Sequence, residues 1–379
     1  MRLVVCSLED WNEVWRRNQY LVDALLGADD ALEVLFVEPP TDPLHTALHG
    51  QVPRPARGLR TVPGYGGRLR TLQPVKWLPR QLGPMTDAGL RSAVMRAVAR
   101  LGWRDPVLWV NDPGYAELVA VTGWRALYDI TDDWAVADRS PREHARLRAA
   151  DAALLERCAE VVVCSVGLAA RKGAVRDVVL VPNAVDSQRY RRPAPRPPDL
   201  PVGAVALYVG TLHEDRLDVD LVVATARRLA AAGATVALLG PNALSADNTA
   251  RLDAEPGIRL LGSRPRDAVP AYLQHAHALI VPHVLDDFTD SLDPLKLYEY
   301  LAVRRPIVST SVAGFRELRG QPGVAIADGA AFADAVAAAV GQWHAPLPPT
   351  ALPEWSDRAR EMRAVIDRLS GLQPAGRPR

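Results

Sequence analysis

Short apolar runs rich in β-branched residues alternate with longer amphipathic stretches along nearly the whole chain, and this alternation limits the fold more than any other feature. The strand-like runs of the first half begin at Leu3, Leu32, Val107, Ala126, Val161 and Val178, and those of the second half at Ala204, Thr235, Ile258, Ala278, Ile307 and Val324. Spacers of helical length between strands of four to six residues are the pattern of a parallel sheet wound with helices. The reading is an α/β chain with two Rossmann-like, doubly wound domains. Residues 191–203, opening Arg191-Arg192-Pro193-Ala194-Pro195, are too proline-dense to pair in a sheet or continue a helix and read as the linker. The expected domains are then 1–190 and 204–345, followed by a tail at 346–379. In the tail, Met362, Val365, Ile366 and Leu369 share a helical face that has no strand of its own and must pack on something already built, such as the first domain. Domains of this kind bind ligands beyond the carboxyl ends of their strands, here in a cleft between the two.

The composition removes several function classes. Lys+Arg number 45 against 44 Asp+Glu, so no global field favours nucleic acid. No run approaches the ~18 apolar residues of a membrane span, and the start of the chain lacks a secretory apolar core, so a cytoplasmic protein is expected. Three cysteines without zinc-type spacing exclude a disulfide framework and argue against a metal site. Arginine carries almost all the positive charge, and Lys76, Lys172 and Lys296 are the only lysines.

One of those lysines lies in the most informative segment, Thr289-Asp290-Ser291-Leu292-Asp293-Pro294-Leu295-Lys296-Leu297-Tyr298-Glu299. Asp293-Pro294 predicts a helix start, with the carboxylate as cap and proline in the first turn. Such a helix offers open amides and a positive dipole to an anion. Lys296 and Glu299 lie on one face, so an ammonium sits near the anion and a carboxylate one turn deeper can accept ribose hydroxyls. The alternative is an ordinary capped helix with a Lys–Glu pair worth ~0.2–0.5 kcal/mol.

The second half resembles the donor domain of GT-B glycosyltransferases, in particular family 4 and its teichuronic-acid-type bacterial subgroup. The resemblance rests on Tyr208-Val209-Gly210-Thr211-Leu212, Leu239-Gly240-Pro241, Leu261-Gly262-Ser263-Arg264-Pro265 and Pro294–Leu301. It implies a GT-B fold and a nucleoside-diphosphate-sugar donor. It also implies donor contacts from Gly210, Thr211, Arg216, the 263–265 main chain, Ser291, Asp293, Lys296 and Glu299. In such families two glutamates eight positions apart flank the donor. Glu299 matches the second of them, and Ser291 stands at the first, with Asp290 and Asp293 beside it.

In the first half, Tyr128-Asp129-Ile130-Thr131-Asp132-Asp133-Trp134 follows a strand, and crowding there can raise one carboxylate's pKa for proton abstraction. The resemblance gives Asp132 or Asp133 the catalytic place near the acceptor, with Trp134 beside it; the alternative is helix capping. Trp11 and Trp15, four apart, stack on a sugar or pack as core, and Arg16 is a phosphate candidate by location alone. Between Pro43 and Thr86 basic residues accumulate without an acid, which suits either a peripheral contact with an anionic membrane or a solvated excursion. The expected function is metal-independent transfer of a sugar from a nucleotide donor to an unidentified acceptor hydroxyl. A nucleotide-sugar epimerase or hydrolase, or a non-catalytic nucleotide-sugar-binding partner protein, are the rivals.

Overall fold

The computed structural model describes residues 1–43, 57–76, 83–133, 140–342 and 346–371. The chain forms two compact units, Met1–Pro182 with Trp355–Arg379, and Asn183–Glu354.

Unit 1 holds an eight-stranded sheet of β1 (Arg2–Cys6), β2 (Glu33–Val37), β3 (Gly58–Thr61), β4 (Leu69–Gln73), β5 (Val107–Val110), β6 (Ala126–Ile130), β7 (Glu160–Val163) and β8 (Val179–Leu180). Its order is β3-β4-β2-β1-β5-β6-β7-β8, parallel except where β3 runs against β4. The order reverses between β1 and β5, the switch point at which such sheets open a crevice. Cys6 pairs with Val110 and Val110 with Tyr128, so the residues after β1, β5 and β6 emerge side by side.

The tail helix Trp355–Ser370 buries Met362, Val365, Ile366 and Leu369 and packs on the helix Arg17–Ala28 and on β5 and β6. Each such side chain contributes roughly 1.5–3 kcal/mol when fully buried. Trp355 stacks on Tyr20 at 4.8 Å, and Arg363 donates to Asp29 at 2.5 Å. The helix completes unit 1, where its one apolar stripe finds a surface.

Unit 2 holds β9 (Val205–Val209), β10 (Leu212–His213), β11 (Thr235–Leu239), β12 (Asn242–Ala243), β13 (Ile258–Gly262), β14 (Ala278–Val281), β15 (Ile307–Ser309) and β16 (Val324–Ile326). Six form a wholly parallel sheet, β13-β11-β9-β14-β15-β16, and β10 pairs with β12 separately. The expected α/β class with two doubly wound sheets is what the chain adopts.

The proline-rich stretch does not divide the units. The chain passes between them at Pro182–Asn183, and residues 191–203 lie on unit 2. There the Ala194 amide donates to Gln274 at 3.0 Å and the Ala194 carbonyl meets His275 Nε2 at 2.8 Å. Proline forbids a ladder but leaves carbonyls and intervening amides free for side chains, so such a strap packs without secondary structure.

Candidate donor and acceptor sites

In unit 2, three neighbouring strands end in glycine: Gly210 after β9, Gly240 after β11 and Gly262 closing β13. Their backbones interlock, Gly210 N donating to the Leu239 carbonyl at 2.9 Å and Gly240 N to the Gly262 carbonyl at 3.0 Å. A Cβ on Gly240 would sit 2.0 Å from the Gly210 carbonyl oxygen, and φ there is +152°. Glycine at 240 is therefore a steric requirement, and it leaves this sheet edge as bare backbone.

Against that edge stands the helix Leu295–Val303. Lys296 Nζ lies 3.9 Å from the centre of the Tyr208 ring and 3.2 Å from His283 Nε2, which is itself 3.2 Å from the Tyr208 hydroxyl. Burial, then the Arg216 guanidinium, holds the Lys296 amine well below its ordinary pKa, with Glu299 opposing. His283 is likewise held neutral, first by burial, then by Lys296 and Arg216. One turn on, Glu299 accepts from the Tyr190 hydroxyl at 2.5 Å, and burial raises its carboxyl despite Tyr190 and Lys296. The structure thus brings Gly210, Arg216, Lys296 and Glu299 into one neighbourhood at the carboxyl end of the sheet. His283, which its place just after a strand and before the donor loop marks in the sequence as a cleft candidate, lies among them.

Other expected donor residues are engaged elsewhere. Asp293 does not cap the helix. Its Oδ2 accepts from the Asn183 amide at 2.5 Å and its Oδ1 from the Tyr298 hydroxyl at 2.9 Å, and Pro294 takes the cap position. Proline fixes φ but leaves the preceding carboxylate to better donors. Ser291 is fully buried with its hydroxyl donating to the Phe288 carbonyl at 2.6 Å, so it is a packing residue of a short 3₁₀ turn. The Arg264 side chain donates to Tyr272 at 2.9 Å and pairs with Asp199 of the proline-rich strap, which leaves the 263–265 main chain as that loop's remaining feature. Thr211 presents its carbonyl to Tyr208 at 3.4 Å.

In unit 1, the switch point is filled by a polar network. Asn18 donates to Ser7 at 3.0 Å and to Asn111 at 2.7 Å, and Asn111 donates to the Asp129 carbonyl at 3.1 Å. Asp129, fully buried, accepts from Trp109 at 3.1 Å and pairs with buried Arg17 at 3.4 Å. Asp133 departs from the catalytic role expected of it. It is 4% exposed and pairs with Lys172 and Arg171, each at 3.3 Å, while Lys172 also holds Asp151 at 2.8 Å. Two ion pairs hold this carboxylate against Arg171 and Lys172. Asp132 is more open, its Oδ2 accepting from Thr131 at 3.3 Å. Trp134 lies outside the described residues.

The carboxyl group the sequence reading missed is Glu9, two residues past Ser7. Its Oε2 is buried and, among the described residues, accepts no hydrogen bond. Burial raises its pKa to about 7, with Asp132 and Asp129 adding to the rise and Arg16 and Arg17 opposing it. Arg16 thus sits by a carboxyl, not by an unmatched anion site. Trp11 and Trp15 are not on a helix: Asn12 Oδ1 accepts from Val14 N at 2.8 Å, a side-chain turn that replaces helical pairing. They meet at 5.5 Å, and Trp11 also packs edge-on against Phe36 at 5.1 Å and Tyr65 at 5.9 Å, which makes it part of an aromatic cluster.

The described basic residues of the acid-free stretch find carboxylates contributed by other segments. Arg57 pairs with Asp10 at 2.9 Å, Arg60 with Glu38 at 3.7 Å, Arg70 with Glu33 at 3.6 Å and Lys76 with Asp42 at 2.6 Å. Local charge imbalance in the sequence is balanced in the fold. Among the described residues no helix is long and apolar enough to cross a membrane.

Residues 203–342 match the family model described as glycosyl transferases group 1. TuaH of Bacillus subtilis (strain 168), a glycosyltransferase assigned to teichuronic acid biosynthesis, is 26% identical over 224 residues. That similarity spans 54% of this chain and 55% of TuaH, about half of each. Beyond residues 203–342, the whole chain shares its fold with solved GT-B structures. Sucrose-phosphate synthase from Thermosynechococcus elongatus superposes with a TM-score of 0.69 at 16% identity, covering 98% of this chain and 99% of that one. HepE from Anabaena in complex with UDP-glucose gives 0.60 at 14%, covering 98% and 97%.

Proposed function

We propose that the protein transfers a sugar from a nucleoside-diphosphate-sugar to an acceptor hydroxyl, with the donor held by unit 2. The observation that carries this reading is the placement of Lys296 and Glu299, one turn apart, at the start of a helix that faces the glycine edge of the sheet beside Arg216. Bare backbone at Gly210 admits a pyrophosphate, Lys296 and Arg216 supply the positive charge, and Glu299 accepts the ribose hydroxyls. Stabilisation of the diphosphate as it leaves is where preorganised charge helps transfer most, and this cluster supplies it from side chains without calling on a metal. Relatives named with UDP or UDP-glucose, such as HepE, support a nucleotide-sugar donor. In unit 1, Asp132 and Glu9 are the carboxyls left to orient or deprotonate an acceptor, Asp133 being tied into ion pairs.

Thermal unfolding with UDP, dTDP, GDP, ADP and CMP tests the donor site, because a ligand at ~100 times its Kd adds about 2.7 kcal/mol of stability. One diphosphate should stabilise the wild type, and Glu299→Ala should lose most of that shift. If none of the nucleotides stabilises the wild type, the donor reading fails.

A further inference from the structure

The chain has three lysines, and their surroundings differ in kind. Lys76 Nζ is 2.6 Å from Asp42, and Lys172 Nζ is 2.8 Å from Asp151 and 3.3 Å from Asp133. Lys296, among the described residues, has no carboxylate within ion-pair distance. Its Nζ instead lies 3.2 Å from an imidazole nitrogen, His283 Nε2, and 3.9 Å from the centre of the Tyr208 ring. That same imidazole nitrogen also lies 3.2 Å from the Tyr208 hydroxyl, and a neutral imidazole nitrogen carries either one lone pair or one proton, so it brings the amine no countercharge.

Every element packed around this amine bears on its charge. Arg216, in the loop before the helix Val219–Ala230, repels an ammonium. On the lysine's own helix, Glu299 attracts it, but the Tyr190 hydroxyl already occupies one Glu299 oxygen. Asp215 lies 4.0 Å from Arg216 and is directed at that guanidinium. The Tyr208 ring face favours a cation, and His283 brings a neutral ring nitrogen without charge. Tyr300, also on the helix, accepts from the Val209 amide at 2.9 Å through its hydroxyl oxygen. Lys296 is half-buried, and an ammonium drawn partly out of water is stable when countercharge meets it; here the countercharge is incomplete until an anion enters.

We infer that Lys296 is an uncharged amine while the site is empty and becomes an ammonium when a phosphate anion occupies it. Donor binding would then bring one proton into the site, and the proton would stand beside the phosphate that later leaves. The inference rests on the donor reading above, and the strong lowering of the Lys296 pKa agrees with it.

The test uses the full-length protein labelled with ¹³C-lysine, whose three side-chain Cε signals report the charge of each amine. Lys296→Arg assigns its signal. Without ligand, the Lys296 signal should titrate about three or more pH units below the ordinary lysine value of 10.5. At pH 8, inorganic pyrophosphate should move it to the ammonium position, and His283→Gln should change its midpoint while leaving the other two in place. If all three signals titrate together, the inference is overturned, and nucleotide stabilisation would still decide the donor reading separately. If Lys296 titrates low but neither pyrophosphate nor any of the five nucleotides moves it, the coupling and the donor reading fall together.

Discussion

Replacing Glu9 with glutamine tests the carboxyl found at the edge of β1. An ordinary glutamate titrates near 4.5, and in the folded chain Glu9 is raised to about 7, chiefly by burial. The folded state therefore keeps a proton that the unfolded chain has already released. The stability tied to that proton is complete below pH 4.5, declines as pH rises, and is lost above 7. With these two midpoints, linkage gives a loss of about 2.5 kcal/mol between pH 5 and pH 8. Glu9 keeps part of its surface in solvent, so this figure is the upper end. Glu9→Gln retains shape and removes the titration. Urea or thermal unfolding of both proteins at pH 5, 6, 7 and 8 measures the effect. The variant should gain on the wild type progressively, by up to about 2.5 kcal/mol, or several degrees in Tm for a unit of this size. A difference between the two proteins that stays constant across the range would refute the argument, since glutamine then replaces a carboxylate that was already ionised.

Three further outcomes are expected. Gly240→Ala should destabilise unit 2 by several kcal/mol, read in thermal unfolding, because its Cβ would lie 2.0 Å from the Gly210 oxygen. Lys172→Met should cost about 3–5 kcal/mol, since it leaves Asp133 and Asp151 without their shared cation, and adding Asp151→Asn should recover part of the loss. Tyr190→Phe should weaken binding of the stabilising nucleoside diphosphate about tenfold or more in titration calorimetry, because the hydroxyl that fixes Glu299 is gone.

The fold was legible because strand and helix periodicities are local, and the runs from Leu3 to Ile326 appear as strands with small shifts. The unit boundary was not, because proline density marks where secondary structure stops and not where packing stops. Lys296 and Glu299 were readable from spacing, which sets a shared helix face. For His283 the sequence offers only its place after a strand, and the pairing of β14 with β9 is what brings it to Tyr208. Asp133 misled because sequence shows a carboxylate but not the Arg171 and Lys172 that neutralise it. Glu9 escaped for the reverse reason: its chemistry comes from enclosure, which no neighbour in sequence reports.

Unit 2 interrupts unit 1, which begins at residue 1, pauses at Pro182 and resumes at Trp355. During synthesis the whole intervening unit leaves the ribosome before the helix that covers the helix Arg17–Ala28, β5 and β6. Residues 1–182 therefore wait, with the apolar bed for Met362 and Ile366 uncovered, for the time it takes to translate more than 170 codons, on the order of ten seconds or longer. Over that interval the nascent first segment depends on chaperones or on its own sheet to stay out of aggregates. A premature stop between Asn183 and Trp355 would leave that surface permanently bare.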